Sequence, residues 1–129
     1  MLFDENCPES FAPNERSDYE SFLDEVPDGY ELCISSEVVI AAYGLIGKDS
    51  THRSLNWIMI SPRFQGAGLG SVIMNQVKKL ANKESLSTIN IAASHLSQRF
   101  FKKYGAKIVK EQPNGWGPGM HRIDMVLNL

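Results

Sequence analysis

The sequence predicts one α/β domain, built from a single mixed β-sheet with helices on both of its faces. Its 129 residues fit one domain by length, and no repeat, low-complexity tract or linker divides them. Segments with helix and strand periodicity follow in the order helix, three strands, helix, strand, helix, two strands. One sheet covered by helices on both faces is the simplest packing for that order. We therefore expect a single domain over residues 1–129.

The first half of the chain should form a helix and three strands. Apolar residues recur at i, i+3, i+4 and i+7 from Tyr19, which predicts a helix over 13–26 that Asn14 or Ser17 caps. The next segments are rich in β-branched and aromatic residues, and the polar pair Ser36 and Glu37 predicts a hairpin turn. The predicted strands cover 30–35, 38–46 and 55–61.

The second half alternates between the two periodicities. Apolar residues from Leu69 to Leu80 repeat at helical spacing, and Gly105 is a typical residue just after a helix end. The predicted elements are a helix over about 68–83, a strand over 88–93, a helix over 96–104, and strands over 107–111 and 121–127. A Gly- and Pro-rich irregular loop is expected over 113–119, between the last two strands.

A glycine-rich turn joins the third strand to the following helix. Gly66, Gly68 and Gly70 occupy every second position, and glycine permits positive φ and close backbone approach. The N–H groups of the first helical turn point outward, and the helix dipole adds positive potential there. The segment is therefore predicted to hold a pyrophosphate.

Other glycine-rich turns fit this segment less well. A Walker loop requires a Lys after the glycines, and none follows here. A dinucleotide-binding fingerprint has the spacing GxGxxG after the first strand, whereas this spacing is GxGxG and the strand is not the first. A plain tight turn into a helix is the structural alternative.

The turn resembles the acyl-CoA signature of the GNAT (N-acetyltransferase) superfamily. Gln65, Gly68 and Gly70 match the pattern [QR]-x-x-G-x-[GA], and Ile60 to Pro62 stands where the family has Val/Ile-x-Pro. The resemblance covers roughly residues 30–129. It implies acetyl-CoA as co-substrate and direct attack of an amine on the thioester. The first strand of the family is expected to be short or absent here.

The resemblance also assigns roles further along the chain. Ser94 stands where the family often has an Asn that contacts the pantetheine, and Phe101 replaces the Tyr proposed as general acid. In the family, the strand before the turn splays from its neighbour and frees backbone groups for the pantetheine and the oxyanion. The implied acyl-CoA-binding residues are Ile58, Met59, Ile60, Gln65, Gly66, Ala67, Gly68, Leu69, Gly70, Ser71, Ser94 and Phe101.

Acid, base and acceptor residues are less evident. Tyr104 lies one helical turn after Phe101 and is a candidate acid, with core packing as the alternative. His121 is a candidate catalytic residue, with a structural hydrogen bond as the alternative. Asn56, Trp116 and His121 are predicted to lie on the acceptor side. The strand over 55–60 contains no carboxylate.

Charge is distributed unevenly. Residues 1–31 contain ten acidic residues and one basic residue, for a net charge of −9, and the remainder carries +7. A solvated acidic face is one interpretation. The other is a cationic amine acceptor near the acidic third and the phosphates of CoA near the rest. The acidic total and the lack of an aromatic-basic stripe argue against nucleic acid.

Composition limits location and cofactors. The acidic start lacks the apolar segment of a secretory signal, and no apolar run approaches the ~20 residues that cross a bilayer. Cys7 and Cys33 have neither CxxC spacing nor a His cluster nearby, so we expect free thiols and no metal. A cytoplasmic protein without a membrane partner is expected, and a homodimer is left open.

Three functions remain at this stage. They are an acetyl-CoA-dependent N-acetyltransferase acting on a small amine, a non-catalytic acyl-CoA-binding module of the same fold, and another phosphate-binding α/β domain. The GxGxG spacing argues against the third.

Overall fold

A computed structural model describes residues 2–7, 11–25, 29–47, 52–64, 66 and 68–129. Within them, six strands form one sheet in the order β1-β2-β3-β4-β6-β5. The helices are α1 (Leu2–Glu5), α2 (Glu15–Asp24), α3 (Leu69–Lys83) and α4 (Gln98–Lys102). The strands are β1 (Tyr30–Ser35), β2 (Val38–Ile46), β3 (His52–Ile60), β4 (Thr88–Ser94), β5 (Lys107–Gly117) and β6 (Met120–Asn128).

The sheet is mixed, as predicted. Only β3 and β4 pair in parallel, and the other neighbouring strands are antiparallel. The predicted hairpin between β1 and β2 is confirmed, with Ser36 and Glu37 at φ values of 50° and 66°. Two residues with positive φ form the kind of tight turn that matches the twist of paired strands.

One face of the sheet packs against α3 and α4. In α3 the buried residues Ile73, Met74, Val77 and Ala81 lie on one side of the helix, as its periodicity predicts. Phe101 of α4 joins them at 2% exposure. We call this layer the main core. Its other buried members are Ala41, Leu45, Leu55, Leu86, Ile89, Ile91, Ala93, Ala106, Ile123, Met125 and Leu127.

The opposite face packs against α1 and α2 through aromatic side chains. Phe3 is completely buried, and Tyr19 and Met59 are nearly so. Six partly buried residues pack against these three: Leu2, Cys7, Phe11, Phe22, Tyr30 and Trp57. We call all nine residues the aromatic cluster. Burying each large apolar side chain contributes on the order of 1.5–3 kcal/mol, so the two short helices are held by this contact rather than by their length.

A bulge in β3 directs side chains to both layers. Ala42 pairs with Met59 and Gly44 with Asn56, so Tyr43 faces two residues of β3. Trp57, within the bulge, has a φ of 49°. The extra residue reverses the alternation of side chains along the strand. Leu55 therefore lies in the main core, whereas Met59, four residues later, lies in the aromatic cluster.

The N-terminal region differs from the prediction. The sequence pattern did not predict α1, and the described residues before Gly29 contain two helices and no strand. Neither of the two expected caps acts as one at the start of α2. The side chain of Asn14 makes no capping hydrogen bond there, and Ser17 lies inside the helix. The N–H of Ala12 instead donates to Glu15 Oε2 at 2.8 Å. Val26, in the predicted helix, lies outside the described residues.

The predicted irregular loop over 113–119 is wrong. β5 continues to Gly117, which pairs with Met120, so Pro118 and Gly119 form a tight turn. The pairing shifts register between Gln112 and Gly117. A bulge accommodates Pro113, which has no N–H to donate to a ladder. Predicted boundaries also differ elsewhere, since β3 begins at His52 and α4 spans only five residues.

Candidate active site

A cleft opens where β3 and β4 separate. Their parallel pairing runs from His52 and Thr88 to Leu55 and Ile91 and then ends. β4 continues in register with β6 as far as Ser94, while β3 stays with β2. The predicted splay is therefore present. The cleft has a volume of about 790 Å³, and it reaches from the glycine turn to the start of α2.

The glycine turn forms one end of the cleft. Gly66 and Gly68 have φ values of 86° and 82°, a conformation that side chains rarely tolerate. Apart from chain neighbours, no described residue would lie within 4 Å of a Cβ at either position. Gly70 is a glycine for another reason, because its Cβ would lie 2.7 Å from the Phe100 ring. The space beside Gly66 and Gly68 is thus available to a ligand, and Gly70 lets α3 and α4 pack closely.

The first turn of α3 faces the same end. The helix ladder starts with the Val72 N–H, which donates to Gly68 O at 3.2 Å. The N–H groups of Leu69, Gly70 and Ser71 precede it and have no acceptor within the helix. With the positive end of the helix dipole, they form a site suited to an anion.

The wall opposite β3 comes from β4 and α4. Ser94 is 7% exposed, and its Oγ accepts the N–H groups of Leu96 and Ser97 at 3.2 Å each, which fixes the turn into α4. Phe101 lines the cleft and has no proton to give. The Tyr104 hydroxyl lies 2.5 Å from Ser71 Oγ, so it sits beside the first turn of α3.

Aromatic and polar side chains close the other end of the cleft. Asn6, Phe11, Glu15, Trp57 and Trp116 line it there. The indole N–H of Trp116 donates to Ala93 O at 2.9 Å, and Asn14 Nδ2 donates to Trp116 O at 2.8 Å. The Arg122 guanidinium lies 4.8 Å from the Trp116 ring centroid, so one face of this ring is already covered by a cation.

Sequence reasoning missed Glu15. It is 3% exposed, and it is the only carboxylate in the cleft wall formed by the described residues. Burial raises the pKa of this carboxyl from its ordinary 4.5 to about 7, although the Ala12 N–H opposes the rise. The sequence offered one signal, a Pro two residues before a Glu at a helix start, but that pattern indicates only a helix cap.

His121 does not lie in the cleft. Its Nδ1 accepts the N–H of Asn114 at 2.9 Å, and its ring contacts the His95 ring at a tilt of 51°, with centroids 4.7 Å apart. Both histidines line a second, smaller cavity of about 250 Å³. The alternation of β6 sends Arg122 into the cleft and His121 away from it, so its placement supports the structural alternative.

The structure brings most of the other predicted site residues together. The cleft is lined by Asn56, Ile58, Met59, Ile60, Gly66, Gly68, Gly70, Ser71, Ser94, Phe101, Tyr104 and Trp116. Leu69 packs its side chain against the main core instead. Gln65 and Ala67 lie outside the described residues.

Comparison with protein families decides the assignment of this fold. The model of the acetyltransferase (GNAT) domain matches residues 4–129. The chain belongs to the GNAT acetyltransferase family. No curated protein sequence matches this GNAT chain at a significant level.

Solved GNAT structures share the fold at low sequence identity. A GNAT-family protein from Desulfovibrio desulfuricans is 18% identical with a TM-score of 0.76, covering 98% of this chain and 87% of that one. A GNAT acetyltransferase from Elizabethkingia anophelis with bound acetyl-CoA is 19% identical with a TM-score of 0.73, covering 92% and 86%. An aminoglycoside 6′-N-acetyltransferase in complex with coenzyme A is 16% identical with a TM-score of 0.72, covering 98% and 86%.

Two further findings concern metals and membranes. Over the described ranges of this GNAT domain, no group of three or more His, Cys, Asp or Glu side chains is arranged to hold a metal ion. No helix in the same ranges has the length and apolar character required to cross a bilayer.

Proposed function

We propose that this GNAT domain transfers an acetyl group from acetyl-CoA to the amine of a small cationic acceptor. One observation carries the proposal. A single cleft joins an anion site at a helix start, a gap between two splayed strands, and a closed end that contains a buried carboxylate. A phosphate-bearing donor fits the first part, and an amine fits the last.

The residues present fit acetyl-CoA. Gly66 and Gly68 leave open space next to the first-turn N–H groups of α3, which suits a pyrophosphate. The edge of β3 from Ile58 to Ile60 would lie along the pantetheine. When bound, acetyl-CoA supplies an activated acetyl carbonyl and a thiol leaving group. A backbone N–H in this part of β3 is the proposed donor to the oxyanion.

We assign the acid role to Tyr104 because Phe101 has no hydroxyl. Of the described cleft residues, Tyr104 is the only tyrosine, and its hydroxyl contacts Ser71. We expect Tyr104→Phe to lower kcat about 100-fold, at the low end of what general acids contribute. The measurement is thiol release over pH 6–9. Full turnover across that range would leave Tyr104 with a packing role only.

The acceptor class follows from charge. Residues 1–31 carry a net charge of −9, and Asn6, Phe11 and Glu15 of this segment line the acceptor end. Such a field attracts cations, and salt screens it. An aminoglycoside acetyltransferase among the structural relatives also supports an amine acceptor.

Thiol release from acetyl-CoA in the presence of an amine panel tests the activity. We expect turnover with alkyl diamines and amino sugars, little with neutral aromatic amines, and a kcat/KM for the best cation that falls several-fold as salt increases. Tight acetyl-CoA binding without thiol release from any amine would favour the non-catalytic binding module, which the apolar Phe101 makes the second candidate. A preference for anionic acceptors would contradict the acceptor class alone.

A further inference from the structure

The carboxylate of Glu15 is buried at the acceptor end of the cleft without a counter-ion. It is 3% exposed, and the Ala12 N–H at 2.8 Å is its only hydrogen bond within the described residues. No salt bridge among those residues reaches it. A buried charge without a partner is unfavourable, and ionisable groups in such surroundings are concentrated at functional sites. Because Glu15 lines the cleft, that charge can come from a ligand.

We propose that Glu15 binds the ammonium group of the acceptor and removes its proton before the amine attacks. The proposal rests on the acetyl transfer proposed above and names the group that acts on the acceptor. The strand β3 contains no carboxylate. The proposal therefore places the base that accepts the acceptor's proton in α2.

The surroundings of Glu15 define the acceptor chemistry further. Phe11 and Trp57 line the same end, with their rings stacked at 5.9 Å between centroids, and Trp116 completes the wall. Aromatic faces attract an ammonium and also bury its carbon skeleton. The end is therefore suited to a primary ammonium on a compact, partly apolar body. Arg122 covers one face of Trp116, and it would repel a second cation on that side.

Other ionisable groups near Glu15 do not neutralise it. Asp4 of α1 pairs with Arg16, and Arg122 of β6 pairs with Asp124. The ionisable side chains on neighbouring elements or in the same cleft are Asp18 in α2, Asp4 and Glu5 in α1, Tyr19 and Tyr30 in the aromatic cluster, Arg122 in β6, and Lys103 and Tyr104 at the far end.

The basicity of Glu15 suits proton removal. Burial raises its pKa to about 7, and the exposed Asp18 raises it further. Compared with a carboxylate at the ordinary 4.5, the equilibrium for taking a proton from an ammonium improves roughly 300-fold. The group is still ionised in about half of the molecules at neutral pH, so it can accept a proton there.

Protons balance as follows in this reaction. Glu15 takes one proton from the ammonium, and the nitrogen lone pair forms a bond to the acetyl carbon while the carbon–sulfur bond breaks. The nitrogen loses a second proton to solvent as the amide forms. The thiolate takes one proton that Tyr104 supplies through cleft water, because the Tyr104 hydroxyl lies at the glycine-turn end, and Tyr104 regains a proton from solvent. Glu15 then releases its proton, so each turnover yields one amide, one thiol and one free proton.

Glu15→Gln tests the proposal, because the amide oxygen can still accept the Ala12 N–H and preserve the start of α2. We expect kcat to fall about 100- to 1000-fold with an alkyl diamine, as for loss of a general base. Acetyl-CoA affinity should change less than about twofold. In the wild type, kcat/KM should rise with pH through about 7 and then level off. The variant should lose this rise.

Asp18→Asn is the matched control, since it removes the same charge one helical turn away at an exposed position. It should keep the rate near that of the wild type and retain the rise of kcat/KM with pH. The midpoint of the rise should be somewhat lower, because the Asp18 charge raises the Glu15 pKa. A Glu15→Gln variant with wild-type kcat and an unchanged profile would overturn the role of Glu15 and leave the proposed transfer intact. If the wild type binds acetyl-CoA but releases no thiol, the proposed transfer fails. Diamine binding measured by calorimetry then decides on Glu15, and equal affinities in wild type and Glu15→Gln would overturn its role.

Discussion

Gly68→Val should weaken acetyl-CoA binding at least 100-fold, which corresponds to about 2.7 kcal/mol. Gly68 has a φ of 82°, and no described residue other than its chain neighbours lies within 4 Å of the position a Cβ would take. The added side chain would therefore project into the space that the phosphates are proposed to fill. It would also strain the backbone whose N–H groups form the anion site. Isothermal titration with acetyl-CoA measures the loss.

The chain offers a close control in Gly119, in the turn between β5 and β6. It has a φ of 77°, and its Cβ position is equally open, yet it does not line the cleft. Gly119→Val should thus carry a similar backbone cost and lower the melting temperature to a similar extent, while acetyl-CoA affinity stays near that of the wild type. Unchanged affinity in Gly68→Val, or an equal loss in both variants, would contradict the assignment of the glycine turn.

Glu15→Gln should make the protein more stable above pH 7 by about 3 kcal/mol, since each pKa unit is worth ~1.4 kcal/mol. Burial raises the folded-state pKa of Glu15 from 4.5 to about 7. Between these two values the folded protein binds more protons than the unfolded chain, so stability falls as pH rises. Below pH 4.5 the carboxyl is neutral in both states, and above pH 7 the full cost is present.

Urea unfolding at pH 5 and pH 8 measures this effect. The difference in free energy of unfolding between wild type and Glu15→Gln should be small at pH 5 and large at pH 8. Groups common to both proteins titrate alike and cancel in the difference. Asp18→Asn, which changes an exposed carboxylate, should show little dependence on pH. A wild-type stability that rises between pH 5 and pH 8 relative to Glu15→Gln would contradict the raised pKa. A stabilised but slow Glu15→Gln variant would identify the carboxylate as retained for activity at the expense of stability.

Local patterns were sufficient to predict the sheet, the glycine turn and most cleft residues. The helix stripe of α3, the β-branched strands and the glycines at every second position each depend on neighbours within a few residues. The predicted splay required the family resemblance as well. Even here, the reason for one glycine differed from the expectation. A Cβ at Gly70 would lie too close to the ring of Phe100, thirty positions later, whereas its φ is not positive.

What could not be predicted depends on contacts between distant segments. His121 was expected to face the acceptor, but the register of β6 directs it away from the cleft. The alternation along a strand does not by itself show which of its two faces points toward the cleft. Pro113 to Gly119 looked like a loop because a bulge in β5 has no distinct composition. Glu15 resembled any other acid in an acidic segment, and its burial arises only in the folded protein, where it lines the cleft with Phe11, Trp57 and Trp116. Such register and burial effects are properties of the packed sheet.

The hydrogen bond from Asn14 to the Trp116 carbonyl joins residues 102 positions apart. Closing a loop of that length is slow and entropically costly compared with forming the local turns of the glycine segment. During synthesis, the strand, glycine turn and helix over residues 52–83 emerge well before Trp116 does. The part proposed to hold the nucleotide can therefore form early, whereas the acceptor end is completed only when the first and last parts of the chain meet. The order of folding would thus delay acyl transfer until the whole domain is assembled.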